Sequence, residues 1–221
     1  MKAKLLTLAM LAAAATTAPV AAQTIEGNVA LTSNYVFRGV TQSDDGAAIS
    51  GGFDLSTEAG FYVGVWGSSV DFSDETTMEL DVYAGYGWEA YGWGFDTGVI
   101  YYGYPDSPDG QNFVEFYGGV SREFGPIAWD ASAAFSPEFY GEIGEGLYLS
   151  TGAAVEVGPV TVDARVGSSS FDDLPAADYE DYQVGVSGTI LENVGWDLRY
   201  YKATNGGDDG FFVTFSQSFG G

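Results

Sequence analysis

From residue 24 to its end the chain is a succession of short stretches in which apolar and polar residues alternate. The connections between them run long, short, long, short without a break. A period of two puts successive side chains on opposite faces of a β-strand, so each stretch is expected to be a strand with one apolar face. In "PVTVDARVG", Val160, Val162, Ala164 and Val166 share one face, and Thr161, Asp163 and Arg165 the other. "MELDVYAGYGW" divides in the same way, with Met78, Leu80, Val82, Ala84, Tyr86 and Trp88 against Glu79, Asp81 and Tyr83. "FVEFYGGVS" and "FYVGVWGSSV" carry glycine and aromatic residues in both phases, which leaves their register open. The long connections include "GVTQSDDGA", "YPDSPDGQ" and "SFDDLPAADYED", and the short ones "TEAG", "EAYG" and "VGP".

A soluble β-sandwich and a membrane-spanning barrel both have alternating strands and glycine-rich turns. Three features favour the barrel: the strict alternation of connection length, small polar residues on the face a sandwich would bury, and aromatic residues at strand ends. Tyr35, Phe37, Trp88, Tyr91, Trp93, Tyr101 and Tyr102 are expected to form the aromatic girdles at the two lipid interfaces. The expected fold is therefore all-β, a transmembrane antiparallel up-and-down β-barrel of about 12 strands with both termini periplasmic. Closure satisfies the backbone groups that hydrocarbon cannot.

Composition narrows the chemistry. With 32 Gly, 15 Tyr and 15 Phe the chain suits neither a disordered acidic tail nor a helix bundle. It contains neither histidine nor cysteine, which removes Ser-His-Asp and Cys-His nucleophilic catalysis, typical zinc sites and disulfides. Membrane-embedded hydrolases lean on a histidine, so no enzyme activity, cofactor or metal site is expected. The loop acids do not follow the spacing of an EF-hand.

Residues 1–22, with Lys2 and Lys4 ahead of an apolar Leu/Ala run and then small residues, have the layout of a Sec-type signal peptide cleaved after Ala22. Residues 23–221 are then expected to form one barrel domain in the outer membrane of a Gram-negative bacterium, surrounded by lipid and lipopolysaccharide. No later stretch reaches the roughly 18–20 apolar residues of a spanning helix. The near-terminal "FVTFSQSF" has the alternation that barrel-assembly machinery reads in a last strand, although Gly220 and Gly221 follow Phe219. A monomer is the expected state.

The formal net charge is −24, and all 31 acids but only five of the seven cations lie beyond Lys4. On the strand register above, Asp54, Glu79, Asp81, Asp96, Glu115, Asp130, Glu156, Asp163 and Asp197 point inward, with Arg38, Arg165 and Arg199 among them. Carboxylates facing lipid are costly, so a wet, net negative, pore-lining face is expected. Further acids crowd the expected extracellular loops: Asp44, Asp45, Asp74, Glu75, Asp172, Asp173, Asp208 and Asp209. A mouth of one sign concentrates cations, and the same acids could instead keep the surface soluble or bridge divalent cations to lipopolysaccharide phosphates. Phosphate binding needs clustered Lys and Arg, so no nucleic-acid partner is expected.

Within "NVALTSNYVFRG" the alternation predicts one strand running through Phe37, with Tyr35 and Phe37 outward and Arg38 inward at its extracellular end. Arg38 is expected to pair with lumen or loop carboxylates and hold the first long loop across the opening, or else merely to balance local charge.

The segments "LTSNYVFRGVTQSDDGAAISGGFDL" and "GFYVGVWGSSVDF" resemble the proteobacterial TorF-type porin family, formerly grouped as exported proteins of unknown function. Residues 33–42 are the most specific part of the resemblance, which extends from about Ile25 to the C-terminus. It implies an outer-membrane barrel and a pore, without an established substrate. The function expected is passive diffusion of small solutes or ions, favouring cations. The alternative is a non-conducting barrel with a structural role or a loop-mediated role in binding ligands or cations.

Overall fold

The computed structural model describes residues 23–107, 111–191, 193–205, 207 and 209–220; the expected signal peptide and Asp208 lie outside the described residues. The strands are β1 (Thr24–Thr32), β2 (Val36–Phe37), β3 (Val40–Thr41), β4 (Ala48–Ser56), β5 (Phe61–Ser69), β6 (Met78–Ala90) and β7 (Trp93–Gly103). They continue as β8 (Phe113–Phe124), β9 (Ile127–Ser136), β10 (Gly146–Val157), β11 (Val160–Phe171), β12 (Tyr179–Ile190), β13 (Val194–Ala203) and β14 (Asp209–Gly220). β1 and β4 to β14 make a closed antiparallel barrel of twelve strands, β1 pairing with both β4 and β14. β2 and β3 form a separate small hairpin.

The large apolar side chains cover the outside. Ile25, Val29 and Leu31, Val63 and Val65, Leu80 and Val82, and Leu147 and Leu149 are all exposed, while their alternating neighbours, Glu26 at the strand's end excepted, are buried or half-buried. In water such a surface would be unstable, and a bilayer is the solvent that matches it. The two ambiguous strands take one phase each: Phe61, Val63 and Val65 outward in β5, and Val114, Phe116 and Val120 outward in β8. At one end of the barrel the strands are joined by tight turns. The Tyr91–Gly92 turn has positive φ at both residues (54° and 75°), the conformation a two-residue hairpin needs. At the other end lie the longer connections, 33–47, 70–77, 104–112, 137–145, 172–178 and 204–208.

The first of these departs from the expectation. β1 stops at Thr32, whose hydroxyl donates to the Asn34 carbonyl, and the chain folds inward. Arg38 and Gly39 (φ 49° and 78°) then form the turn of the β2–β3 hairpin. Alternation through Phe37 therefore does not mark a continued strand.

Three girdle assignments are corrected with it. The Tyr35 hydroxyl donates to buried Glu79, and its ring packs edge-on against inward Trp66. Phe37 packs on Tyr102, which is 5% exposed on the inner face of β7. Tyr35 and Phe37 are thus interior residues, drawn in by the inward fold of the first connection, and Tyr102 is interior through its phase on β7. Trp88, Tyr91 and Trp93 do lie at the short-turn end, and Tyr101 faces outward near the long-loop end. Asp209 belongs to β14, opposite Lys202, rather than to a loop.

Candidate functional site: the inner face of the barrel

The β2–β3 hairpin lies across the bore at the long-loop end. Arg38 makes a two-pronged ion pair with Glu115 of β8, Nη1 to Oε1 at 2.8 Å and Nη2 to Oε2 at 2.7 Å. Its guanidinium lies between the rings of Phe37 and Tyr148, 4.6 and 4.2 Å from their centroids. Tyr102 donates a further hydrogen bond to Glu115. Planar, forked and weakly hydrated, a guanidinium suits such a slot better than an ammonium would.

At the hairpin's base the Asn34 amide donates to Asp45 and to the Tyr201 hydroxyl, and its oxygen accepts from Thr41 and Ser43. At the tip Gly39 approaches β12 so closely that a Cβ there would stand 2.7 Å from Asp181 Cβ. Gly39→Ala is accordingly expected to lift the hairpin tip and destabilise the barrel by about 1–3 kcal/mol, from the clash and from the positive φ. Thermal unfolding of the refolded variant would show it, and an unchanged midpoint would contradict the close approach.

On the opposite wall two ion pairs share one design. Asp130 of β9, Gly152 of β10 and Arg165 of β11 stand side by side in register. Asp163 of β11, Gly185 of β12 and Arg199 of β13 repeat the arrangement. In each case the arginine crosses over the glycine to reach the aspartate, at 2.6 Å in both pairs. A Cβ at Gly152 would lie 3.0 Å from Arg165 Nη2, and one at Gly185 2.6 Å from Arg199 Nη2. Glycine is what allows the bridge to lie flat on the wall. Arg165 also donates to Ser150, and Arg199 also reaches Asp197 at 3.0 Å.

On the β4–β8 wall the carboxylates are held by tyrosines. The Tyr83 hydroxyl crosses Gly64 to donate to Asp54. Tyr62 donates to Asp96 at 2.8 Å, and its oxygen lies 2.5 Å from the Tyr117 hydroxyl. Glu79 and Asp81, adjacent on the inner face of β6, are 2% and 4% exposed. No arginine pairs with either of them among the described residues.

Asp54, Glu79, Asp81, Asp96, Glu115, Asp130, Glu156, Asp163 and Asp197 all stand in the phase opposite the exposed apolar rows, as do Arg165 and Arg199. Glu156 sits at the short-turn end without an ion pair among the described residues. Sequence reasoning missed Asp181, the last residue of the stretch "SFDDLPAADYED" read above as a long connection. It is fully buried on the inner face of β12 beside the hairpin tip. The "DYQVGV" alternation, extended one pair back from Tyr182, carries that signal.

Among the long connections, Asp44 and Glu75 are exposed, as are Asp172 and Asp173. Asp45 is tied to Asn34. The hydroxyl and backbone amide of Thr76, and then the amide of Gln111, hold the Asp74 carboxyl below its usual pKa.

The model of a family described as "Bacterial protein of unknown function (Gcw_chp)" matches residues 14–216, and the chain belongs to that family. No curated protein matches it. Among solved structures it is similar to the KdgM porin, with 10% identity and a TM-score of 0.62 over 89% of this chain and 99% of that one. It is also similar to the COG4313 outer membrane channel from Pseudomonas putida F1, with 12% identity and a TM-score of 0.54 over 91% and 97% of the two chains. The NanC porin aligns with 9% identity and a TM-score of 0.52 over 89% and 98%. At these identities the likeness is one of fold.

Proposed function

We propose that this member of the Gcw_chp family is a narrow, cation-favouring diffusion channel of the outer membrane. In this reading the long connections are extracellular, both chain ends are periplasmic, and the assignment to the TorF-type porins holds. The observation that carries it is the charge of the inner face. Each inward arginine among the described residues is already occupied by a carboxylate: Arg38 by Glu115, Arg165 by Asp130, and Arg199 by Asp163 and Asp197. Asp54, Asp96 and Glu156, which are not buried, have no such partner among the described residues. A bore lined by uncompensated carboxylates attracts cations and turns polyanions away. No nucleophile–base pair needs to be invoked, and the barrel acts by its electrostatics alone.

The β2–β3 hairpin favours a second reading, in which the bore stays shut until the hairpin leaves it. One experiment addresses both. The refolded protein, its closure checked by heat-shifted gel mobility, is placed in a planar bilayer under a potassium chloride gradient. A reversal potential of cation-selective sign is expected, and an anion-selective sign would overturn the proposal. Silence from an inserted barrel would favour the shut form instead.

A further inference from the structure

Among the described residues of the twelve barrel strands, the outward phase carries four charged side chains: Arg122, Glu180, Lys202 and Asp209. Three of them cluster at the long-loop end, where Lys202 stands opposite Asp209 and Tyr182 in register, next to Glu180. Arg122 is alone at the other end, two residues before the turn into β9. No carboxylate is within ion-pair distance of it among the described residues. What surrounds it is aromatic. Trp93 lies under its guanidinium at 4.9 Å and Phe124 at 5.5 Å, and Trp129 is its direct register partner on β9. The three rings pack on one another edge to face at 6.0 to 6.4 Å. Phe61, Tyr86, Trp88 and Phe95 extend the same aromatic surface across β5 to β7.

An unpaired guanidinium on a lipid-facing surface is tolerated only at headgroup depth, and an aromatic belt is the mark of that depth. The counter-charge available there is the phosphodiester of a lipid, which a guanidinium grips with two parallel hydrogen bonds. The rings fix the arginine's long side chain and reduce the entropy lost on binding. We propose that Arg122, with Trp93, Phe124 and Trp129, forms a binding site for the phosphate of one anionic phosphoglyceride in the leaflet around the short-turn end. The site rests on the bilayer reading of the barrel and is independent of whether the bore conducts.

The test is native mass spectrometry of the folded barrel released from micelles containing phosphatidylglycerol or phosphatidylcholine. Wild type, Arg122→Gln, Arg122→Lys and, as a control at the far end, Lys202→Gln are compared. Wild type and Lys202→Gln are expected to retain one phosphatidylglycerol, and Arg122→Gln to lose its preference about tenfold, the size of one charge-assisted contact. Arg122→Lys should fall between them. Equal retention by wild type and Arg122→Gln, in barrels that insert into vesicles, would overturn the site alone. Failure of the wild type to insert would overturn the bilayer reading beneath it.

Discussion

Replacing Arg38 with alanine is expected to raise the single-channel conductance of the reconstituted barrel several-fold and to make residues 33–47 sensitive to protease. Arg38 joins the first connection to the far wall through the two-pronged bond to Glu115 and the stacking between Phe37 and Tyr148. Both partners are nearly sealed from water, with side-chain exposures of 8% and 2%. Removing one member of a buried pair strands the other, at a cost of about 3–5 kcal/mol, and leaves the tip of the hairpin without its main attachment. The conductance should rise because the hairpin lies in the bore. Restoring neutrality with Arg38→Ala/Glu115→Gln should recover much of the stability while leaving the conductance high, since the attachment is still missing. Unchanged conductance together with an unchanged chymotrypsin digestion pattern would refute the role given to Arg38.

The second large effect separates two ion pairs that look alike in outline. Arg199→Met strands Asp197, which has no exposed side-chain surface, together with Asp163 at 22%. Arg165→Met leaves Asp130, which is 40% exposed and can be hydrated. The first change is expected to destabilise the barrel by about 3–5 kcal/mol and the second by no more than about 1 kcal/mol. Urea unfolding in lipid vesicles, followed by tryptophan fluorescence, gives both values. Equal losses would mean that water reaches Asp197 as readily as Asp130, and the burial argument would fail.

Alternation made most of the barrel legible. A strand facing lipid on one side and water or polar groups on the other must alternate, so the apolar phase of β6, β11, β12, β13 and β14 could be read residue by residue. The same rule misread the segment after Thr32, because Tyr35 and Phe37 keep the period while the chain has already turned inward. Tyr102 deceived for a related reason. An aromatic residue at a strand end serves an interfacial girdle or an interior cluster equally well, and only its phase relative to Ile100 and Tyr104, all three buried together, decides.

The glycines of the inner wall were visible as composition but silent as design. Gly152 and Gly185 acquire their purpose when register sets each between an aspartate and an arginine. What the amino-acid sequence determined alone was which side chains meet lipid along the clearly alternating strands, such as β6 and β11, since that choice is made strand by strand through a local period of two. Which carboxylate each arginine neutralises was decided by the tertiary structure: Arg38 and Glu115 are 77 residues apart. Only closure of the sheet, with the first connection folded inside it, brings their charges within reach of one another.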